Sequence, residues 1–164
     1  MIRDAAMADM PAVRSLYNAL IGTTTVAWTE EPETLRQRQA WFRAQVRGGH
    51  PVLVAELDGV VVGFASYGSF RGEGRWPGYR ATVEHTIHVD EGHWGRGIGR
   101  ALLESLIEVA RSHDVHVMVA AVDGDNAESI AFHERLGFVV VARMPEVGRK
   151  FDRWLDLVLL QRVL

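Results

Sequence analysis

The sequence predicts an α+β fold in which helices pack around a mixed β-sheet, in one domain over residues 1–164. Two apolar, β-branched runs joined by Asp58-Gly59 predict a β-hairpin, because this dipeptide suits a two-residue turn. Later strand patterns alternate with two helical patterns. The length of 164 residues matches the usual size of one domain, and no repeat or linker divides the sequence.

The amino-terminal part is expected to hold two helices and three strands. Asp9 is a suitable cap for the first helix, and Pro11 fits its first turn, where the missing N–H costs nothing. Along the chain, the expected elements are a strand at Ile2–Ala5, a helix with an apolar stripe at Val13, Leu16, Tyr17 and Leu20, a loop at Gly22–Glu33, a helix from Thr34 to about Val46, and strands at Pro51–Leu57 and Val60–Tyr67.

The carboxyl-terminal part is expected to alternate strands with two helices. Asn126 is a natural cap for the second of them, and Gly137 suits the left-handed position that closes it. The expected elements are a loop at Phe70–Tyr79, a strand at Ala81–Val89, a helix from about Ile98 to Ser112, a strand at Val115–Val122, a helix from Asn126 to Leu136, and strands at Phe138–Ala142 and Trp154–Val163.

Composition excludes several classes of function. Eighteen Lys and Arg against 21 Asp and Glu argue against general nucleic-acid binding, which needs a clustered basic surface. With no cysteine, the chain has no disulfides, thiolate metal sites or cysteine nucleophile. No apolar run approaches the roughly 18 residues of a membrane span, and the first residues lack the apolar core of a signal peptide. We therefore expect a soluble cytoplasmic protein that does not bind membranes.

A glycine-rich turn, Gly95-Arg96-Gly97-Ile98-Gly99-Arg100, joins a predicted strand to a predicted helix. Glycine lets main-chain N–H groups approach a ligand closely, and a helix amino terminus attracts anions, so this turn suits a pyrophosphate. Such turns also serve packing alone, and the pattern does not separate the two uses. A P-loop is excluded because Gly-Lys-Ser/Thr is absent, and the dinucleotide fingerprint is excluded because Arg100 stands where a glycine is needed.

Three separated motifs resemble those of a known family. Gly97-x-Gly99 opening a helix, followed by Asn126 and then by Leu136-Gly137-Phe138, resembles the GCN5-related N-acetyltransferase (GNAT) superfamily. More narrowly, the segments at 82–85 (TVEH), 133–138 (HERLGF) and 147–157 (VGRKFDRWLDL) resemble the phosphinothricin and methionine sulfoximine/sulfone acetyltransferases. The resemblance spans nearly the whole chain.

The resemblance implies a fold and an activity. It implies one GNAT-like domain with a mixed, mostly antiparallel sheet, and acetyl-CoA in the cleft between splayed strands. It also implies transfer of the acetyl group to the α-amine of a small amino acid or analogue, by direct attack in a ternary complex. Two alternatives stay open, namely an acetyltransferase for a protein N-terminus or a drug amine, and an acyl-CoA-binding module without turnover.

Two residues are candidates for proton transfer. Glu84 is the expected base, or the residue that holds a water for this purpose, because an α-amine must lose a proton before it attacks. Strand alternation alone leaves an outward-facing, inactive carboxylate equally open. His133 occupies the helix position where many superfamily members carry a tyrosine proposed to protonate coenzyme A, and an imidazole can fill the same acid role. Without that resemblance, a lone helical histidine is more often a packing residue.

Cofactor contacts are expected from the glycine turn, the preceding strand and the helix that follows. Main-chain groups of the strand are expected to pair with the pantetheine arm as an added strand would. Trp94 stands where the superfamily pattern begins with Arg or Gln, so the entry to the cleft should differ. The expected cofactor-binding residues are Ile87, His88, Val89, Trp94, Gly95, Arg96, Gly97, Ile98, Gly99, Arg100, Asn126 and Ser129.

Substrate contacts are expected mainly from loops. An arginine can grip the substrate carboxylate through two hydrogen bonds, although solvated loop arginines would look the same. The expected substrate-binding residues are Arg71, Arg80, Tyr79, Trp28, His85 and Lys150, with Arg75, Phe70, Trp76 and Trp154 as further pocket candidates. No metal site is expected, because His85 and His88 point to opposite faces of one strand. A homodimer is expected from the 147–157 motif and the apolar last strand.

Overall fold

The computed structural model describes residues 1–72 and 75–164 and confirms a mixed α+β fold; part of the loop expected at Phe70–Tyr79 lies outside the described residues. The helices are α1 (Met10–Ile21), α2 (Leu35–Arg47), α3 (Ile98–Ser112) and α4 (Ala127–Arg135). The strands are β1 (Ile2–Asp4), β2 (Val52–Leu57), β3 (Val60–Ser69), β4 (Thr82–Val89), β5 (Val117–Asp123), β6 (Val139–Lys150) and β7 (Arg153–Val163).

The strands form one sheet in the order β1-β2-β3-β4-β5-β7-β6. Every neighbouring pair is antiparallel except β4 and β5, which run parallel. A parallel pair needs a long crossover, and α3 supplies it between these two strands. The parallel pair at the centre of the sheet is where the site forms.

Two apolar cores lie on opposite faces of the sheet. On one face, Met10 and Val13 of α1 and Phe42 of α2 pack against Val54 and Phe64. On the other face, the buried stripe of α3 packs against strands from both sides of the sheet; it comprises Leu102, Leu103, Leu106, Ile107 and Ala110. A fully buried leucine contributes about 1.5–3 kcal/mol, so the buried leucines of α3 add substantially to the stability of this core. Within the part of the chain that the structure describes, no helix is long and apolar enough to cross a membrane.

Two expectations for local structure were wrong. Asp9 precedes α1, but its carboxylate does not cap that helix; it accepts from the N–H of Ala6 at 2.7 Å and pairs with Arg3 at 2.8 Å. The strand expected to end at Ala142 continues to Lys150, and a two-residue turn with positive φ at both residues leads directly into β7. A bulge between Met144 and Gly148 interrupts the apolar alternation, which is why the sequence pattern did not show this long hairpin.

Candidate active site

The central parallel strands diverge after a short paired stretch. β4 and β5 pair over only three residues, from Thr82 opposite Val117 to Glu84 opposite Val119. Beyond that point a cavity of about 90 Å³ lies between them, with Ile87 on one wall and Val122 on the other. It adjoins a larger cleft of about 510 Å³, which runs past the end of β4 to the glycine turn and α4.

The alternation of main-chain groups in β4 leaves one edge facing this gap. Thr82 O accepts from Phe70 N at 3.2 Å, and Asp90 N donates to Val62 O at 2.9 Å, so the even-numbered residues bond to β3. The main-chain groups of Ile87 and Val89 therefore face the gap, where an extended ligand could pair with them. By the same alternation the main chain of His88 faces β3, and its buried ring packs against Tyr17, with centroids 5.5 Å apart.

The glycine turn forms an open cradle at the start of α3. Gly95 and Gly97 have φ of 73° and 79°, which side chains rarely adopt, and a Cβ on either would meet nothing within 4 Å. The first α3 bond runs from Ala101 N to Gly97 O at 3.0 Å, so the N–H groups of the first turn lack helical partners. These amides and the helix dipole favour an anion here. Arg100 lines the cleft, and its Nε bonds Glu104 at 2.8 Å.

The indole of Trp94 lies at the entry to the larger cleft. The side chain is exposed, and its Nε1 donates to Val89 O at 2.8 Å. This carbonyl is on the edge that faces the gap, so Trp94 already occupies one of the acceptors that a ligand could use. The free main-chain groups nearest to it are therefore the N–H of Val89 and both groups of Ile87.

Asn126 and Ser129 lie where the cleft and the cavity meet, because both residues line both spaces. Asn126 caps α4 as expected, with its Oδ1 accepting from Ser129 N at 3.0 Å. The cap fixes the amide of Asn126, which leaves its Nδ2 available to a ligand in the cleft. Phe132, one turn further along α4, also lines the cleft, and its ring lies 3.7 Å from the position of a Cβ on Gly99.

Glu84 lies on β4 at the last residue that pairs with β5, on the same strand face as Thr86. Its side chain is exposed, yet the atoms around it remove enough water to raise the pKa of the carboxyl above its ordinary value. A raised pKa makes a carboxylate a better base for an ammonium proton. Glu84 itself lines neither space, whereas Thr86 lines the cavity.

His133 is buried and faces the cavity. Its Nδ1 lies 2.7 Å from Ser129 O. Because a carbonyl can only accept, Nδ1 carries the ring hydrogen and donates a hydrogen bond to it. Nε2 is then an acceptor, and it has no hydrogen-bond partner among the described residues. Burial lowers the pKa of His133 and so favours the neutral ring. His133 can donate a proton from Nε2 only after it has taken one up.

His85, expected to contact the substrate, lines the small cavity and is buried beside His133. The two rings lie 5.1 Å apart, and burial lowers the pKa of His85 to about 3. Asp123 lies at the end of β5 and lines the same cavity; its Oδ2 is buried without a hydrogen-bond partner in the described part of the chain.

Arg71 and Arg80, the two arginines expected to bind the substrate, lie between β3 and β4. Arg71 has φ of 61°, and its Nη1 donates to Tyr79 Oη at 3.3 Å, while Tyr79 packs edge-on against Phe70. Arg80 directly follows the short 3-10 turn at Pro77–Tyr79 and is exposed. Of the two arginines, Arg80 lies closer in sequence to Glu84.

Lys150 and Trp28 were both expected to bind the substrate. In the structure Lys150 contacts the segment that contains Trp28, and Trp28 contacts the strand that contains Lys150. Lys150 is 1% exposed, and its Nζ donates to Thr24 O and to Ala27 O, each at 2.7 Å. Trp28 packs on Gly148, where any Cβ would overlap its ring. Neither residue lines the cleft or the cavity, but Val26, which lies between Thr24 and Ala27, lines both. No sequence signal distinguished Val26.

Comparison with protein-family models identifies the family from the sequence. The model of the acetyltransferase (GNAT) family matches residues 13–138, which include β4, the glycine turn and α4. The chain belongs to the GNAT family. This GNAT protein is an N-acetyltransferase that uses acetyl-CoA as its acetyl donor.

Individual relatives agree with this assignment. The L-methionine sulfoximine/L-methionine sulfone acetyltransferase of Pseudomonas paraeruginosa is 50% identical over 161 residues, covering 98% of this chain and 92% of the relative. The structure of YncA from Salmonella typhimurium with its cofactor acetyl-CoA is 45% identical, with a TM-score of 0.94 over 100% of this chain and 93% of that one. The structure of a ribosomal-protein-alanine N-acetyltransferase from Brucella melitensis is 44% identical, with a TM-score of 0.96 over 100% of this chain and 99% of that one.

The GNAT site has the features that acetyl-CoA requires. The open cradle at Gly95 and Gly97, where both glycines have a left-handed conformation, suits the pyrophosphate. The N–H of Val89 and the main-chain groups of Ile87, which do not pair with β5, suit the amides of the pantetheine arm, and Asn126 can reach the same arm. No group of three or more histidine, aspartate or glutamate side chains that could hold a metal occurs among the described residues.

Proposed function

We propose that this GNAT acetyltransferase acetylates the α-amine of a small amino acid or analogue of the methionine sulfoximine, methionine sulfone or phosphinothricin type. The observation that carries the proposal is the position of Glu84, a carboxylate with a raised pKa at the point where β4 and β5 begin to diverge. Two relatives support this substrate class. A methionine sulfoximine/methionine sulfone acetyltransferase is 50% identical to this chain, and a phosphinothricin N-acetyltransferase is 34% identical.

Each residue has a defined task in this proposal. Acetyl-CoA supplies the acetyl group as a reactive thioester. Glu84 accepts a proton from the substrate ammonium, directly or through water, so that the free amine can attack. Main-chain groups at Ile87 and Val89 hold the donor extended along β4. His133 can take up at Nε2 the second proton, which the amine nitrogen loses after its attack, and pass it to the departing thiolate; its lowered pKa makes that imidazolium a strong acid.

A thiol-release assay tests the proposal directly. The amines to compare are methionine sulfoximine, methionine sulfone, phosphinothricin and ordinary amino acids. Turnover of any of the three analogues supports the proposal. A second candidate function is acetylation of a protein N-terminus, which is favoured by the 44% identity to the ribosomal-protein-alanine enzyme. This second function is correct if none of the amino acids or analogues is acetylated while the N-terminus of a peptide is. Acetyl-CoA binding without turnover of any amine would indicate a binding module.

We expect Arg80→Ala to raise KM for an amino-acid substrate about 10- to 150-fold and to leave kcat nearly unchanged. A hydrogen-bonded contact to a charged group is worth about 1.5–3 kcal/mol, and the carboxylate uses it equally in the ground state and the transition state. The measurement compares each substrate with its carboxamide in wild type and variant, as a double-mutant cycle. Equal losses for acid and amide would show that Arg80 does not hold the carboxylate, and Arg71 would be tested next.

We also propose a homodimer in the cytoplasm as the working form. β6 is an edge strand, and the hairpin of β6 and β7 exposes an unusual number of large apolar side chains, namely Val139, Val141, Met144, Val147, Phe151, Trp154 and Val163. A second copy of the chain would cover them. The absence of cysteine is compatible with a reducing compartment. Sedimentation equilibrium at assay concentration should give twice the 18.3 kDa of one chain; a single 18.3 kDa species would refute the dimer.

A further inference from the structure

The segment between α1 and α2, residues 22–34, is attached to the tip of the β6–β7 hairpin. We call this segment the α1–α2 loop. The strongest attachment is Lys150, whose buried Nζ donates to two loop carbonyls at 2.7 Å, those of Thr24 and Ala27. A buried ammonium is costly unless it is hydrogen-bonded, so these two bonds hold the loop and the lysine together.

Two further contacts fix the same loop on the hairpin. The ring of Trp28 lies directly on Gly148, where only the absence of a side chain leaves room for it. The main-chain N–H of Phe151 donates to Glu30 Oε1 at 3.0 Å. The loop is therefore held at three points by residues of one hairpin, more than 100 positions away in the sequence.

The end of the loop next to α2 is fixed to the helices. Asn18 exchanges two hydrogen bonds, each of 2.9 Å, with the main chain of Glu33. Arg38 is 3% exposed, stacks on Tyr17 with its guanidinium carbon 4.4 Å from the ring centroid, and pairs with Glu33 at 2.8 Å. Because this end is fixed independently, the hairpin contacts determine only the middle of the loop, around Val26.

Val26 lies within the stretch that Lys150 holds. It lines both the 510 Å³ cleft and the 90 Å³ cavity, together with Ile87, Asn126 and Ser129. In the proposed function, the donor arm occupies the cleft and the amine approaches from the Glu84 side. The thioester must then lie where the two spaces meet, and the side chain of Val26 limits the room for the acyl group there.

We propose that Val26 determines the length of the acyl group that the site accepts, and that Lys150 is the positioning residue that holds Val26 in place. Lys150 touches neither donor nor amine in this arrangement. It acts through the carbonyls of Thr24 and Ala27 on either side of Val26. The inference rests on the proposed function for the direction of the amine, but not on the identity of that amine.

The test compares the Kd values of acetyl-CoA and butyryl-CoA by calorimetry, which needs no amine substrate. The wild type should discriminate against butyryl-CoA, because an extra methylene in a hydrophobic site changes affinity about 10-fold or more. Val26→Ala should lower the ratio of the Kd of butyryl-CoA to the Kd of acetyl-CoA by about 10-fold. Lys150→Met should lower this ratio by a similar factor. Arg149→Met is the matched control, because Arg149 is an exposed neighbour that pairs with Asp152 at 3.2 Å and stacks on Trp154; it should leave the ratio unchanged.

The outcomes separate local positioning from general damage. A merely destabilised variant would bind both donors more weakly without changing their ratio. If Lys150→Met does not fold, Gly148→Ala replaces it, since a methyl group there displaces Trp28 and with it the loop. An unchanged ratio in folded Lys150→Met or Gly148→Ala would overturn the role of Lys150, and an unchanged ratio in Val26→Ala would overturn the role of Val26. If no amine is turned over in the thiol-release assay, the proposed function fails while these Kd ratios still decide the inference.

Discussion

Replacing Glu84 by glutamine should lower kcat/KM by roughly 10²–10³ at neutral pH, with little change in coenzyme A affinity. Glutamine keeps the size of the side chain on β4 but cannot accept a proton. The cradle at Gly95 and Gly97 does not involve this residue, so donor binding should persist. Steady-state kinetics with an accepted amine measure the loss, and calorimetry with coenzyme A checks the affinity.

The pH profile gives a second readout of the same residue. A protonated carboxyl cannot act as a base, so wild-type kcat/KM should fall as the pH drops through the pKa of Glu84, which partial burial raises above the usual glutamate value. The acidic limb should be absent from Glu84→Gln. Glu134→Gln is the matched control, because Glu134 is an exposed glutamate on α4 that lines neither space. An acidic limb that is the same in wild type and Glu84→Gln would remove Glu84 from the mechanism.

Gly97→Val should weaken coenzyme A binding at least about 100-fold. The branched side chain would enter the space in front of the first-turn amides of α3, where the pyrophosphate is expected. Loss of two hydrogen bonds to a charged group, each worth about 1.5–3 kcal/mol, accounts for an effect of this size. Isothermal titration with coenzyme A measures it.

Valine at position 97 also carries a backbone cost, because φ there is 79° and a left-handed residue with a Cβ costs roughly 1–2 kcal/mol. Gly49→Val is the matched control: Gly49 has φ of 70°, its Cβ position is equally open, and it lies between α2 and β2, outside both spaces. Both variants should lose similar stability in urea unfolding, while only Gly97→Val should lose affinity. Normal affinity in folded Gly97→Val would exclude the cradle as the pyrophosphate site.

The features that the sequence predicted well are determined by neighbours along the chain. The alternation of β4, the glycines that precede α3 and the cap at Asn126 each depend on a few consecutive residues, and the structure has all three. The expectation that Ile87, His88 and Val89 present main-chain groups to the cofactor came from the family resemblance, and the alternation in the structure turns the main chain of His88 toward β3 instead. The resemblance to a family added the activity, which no local pattern contains.

The features that the sequence could not show arise from distant contacts. Lys150 and Thr24 are separated by 126 residues, and nothing near either residue indicates that one bonds the other. Val26 has no unusual residue type, and its importance comes only from where the α1–α2 loop is attached. His85 and His133 are 48 positions apart, and only the packing of α4 on the sheet reveals that both are buried together.

The gap between β4 and β5 lies beside a core of packed side chains on one face of the sheet. This core contains residues of α3, Leu53 and Val62 from one half of the sheet and Ala120, Val158 and Leu160 from the other, so a single apolar core spans both halves where their strands do not pair. Admitting a ligand therefore breaks no hydrogen bond between β4 and β5. A binding space that exists before its ligand arrives loses little conformational entropy on association, which increases affinity without any additional contact. The helix that presents the cradle to the cofactor thus belongs to the same packed core that lies beside the adjacent slot.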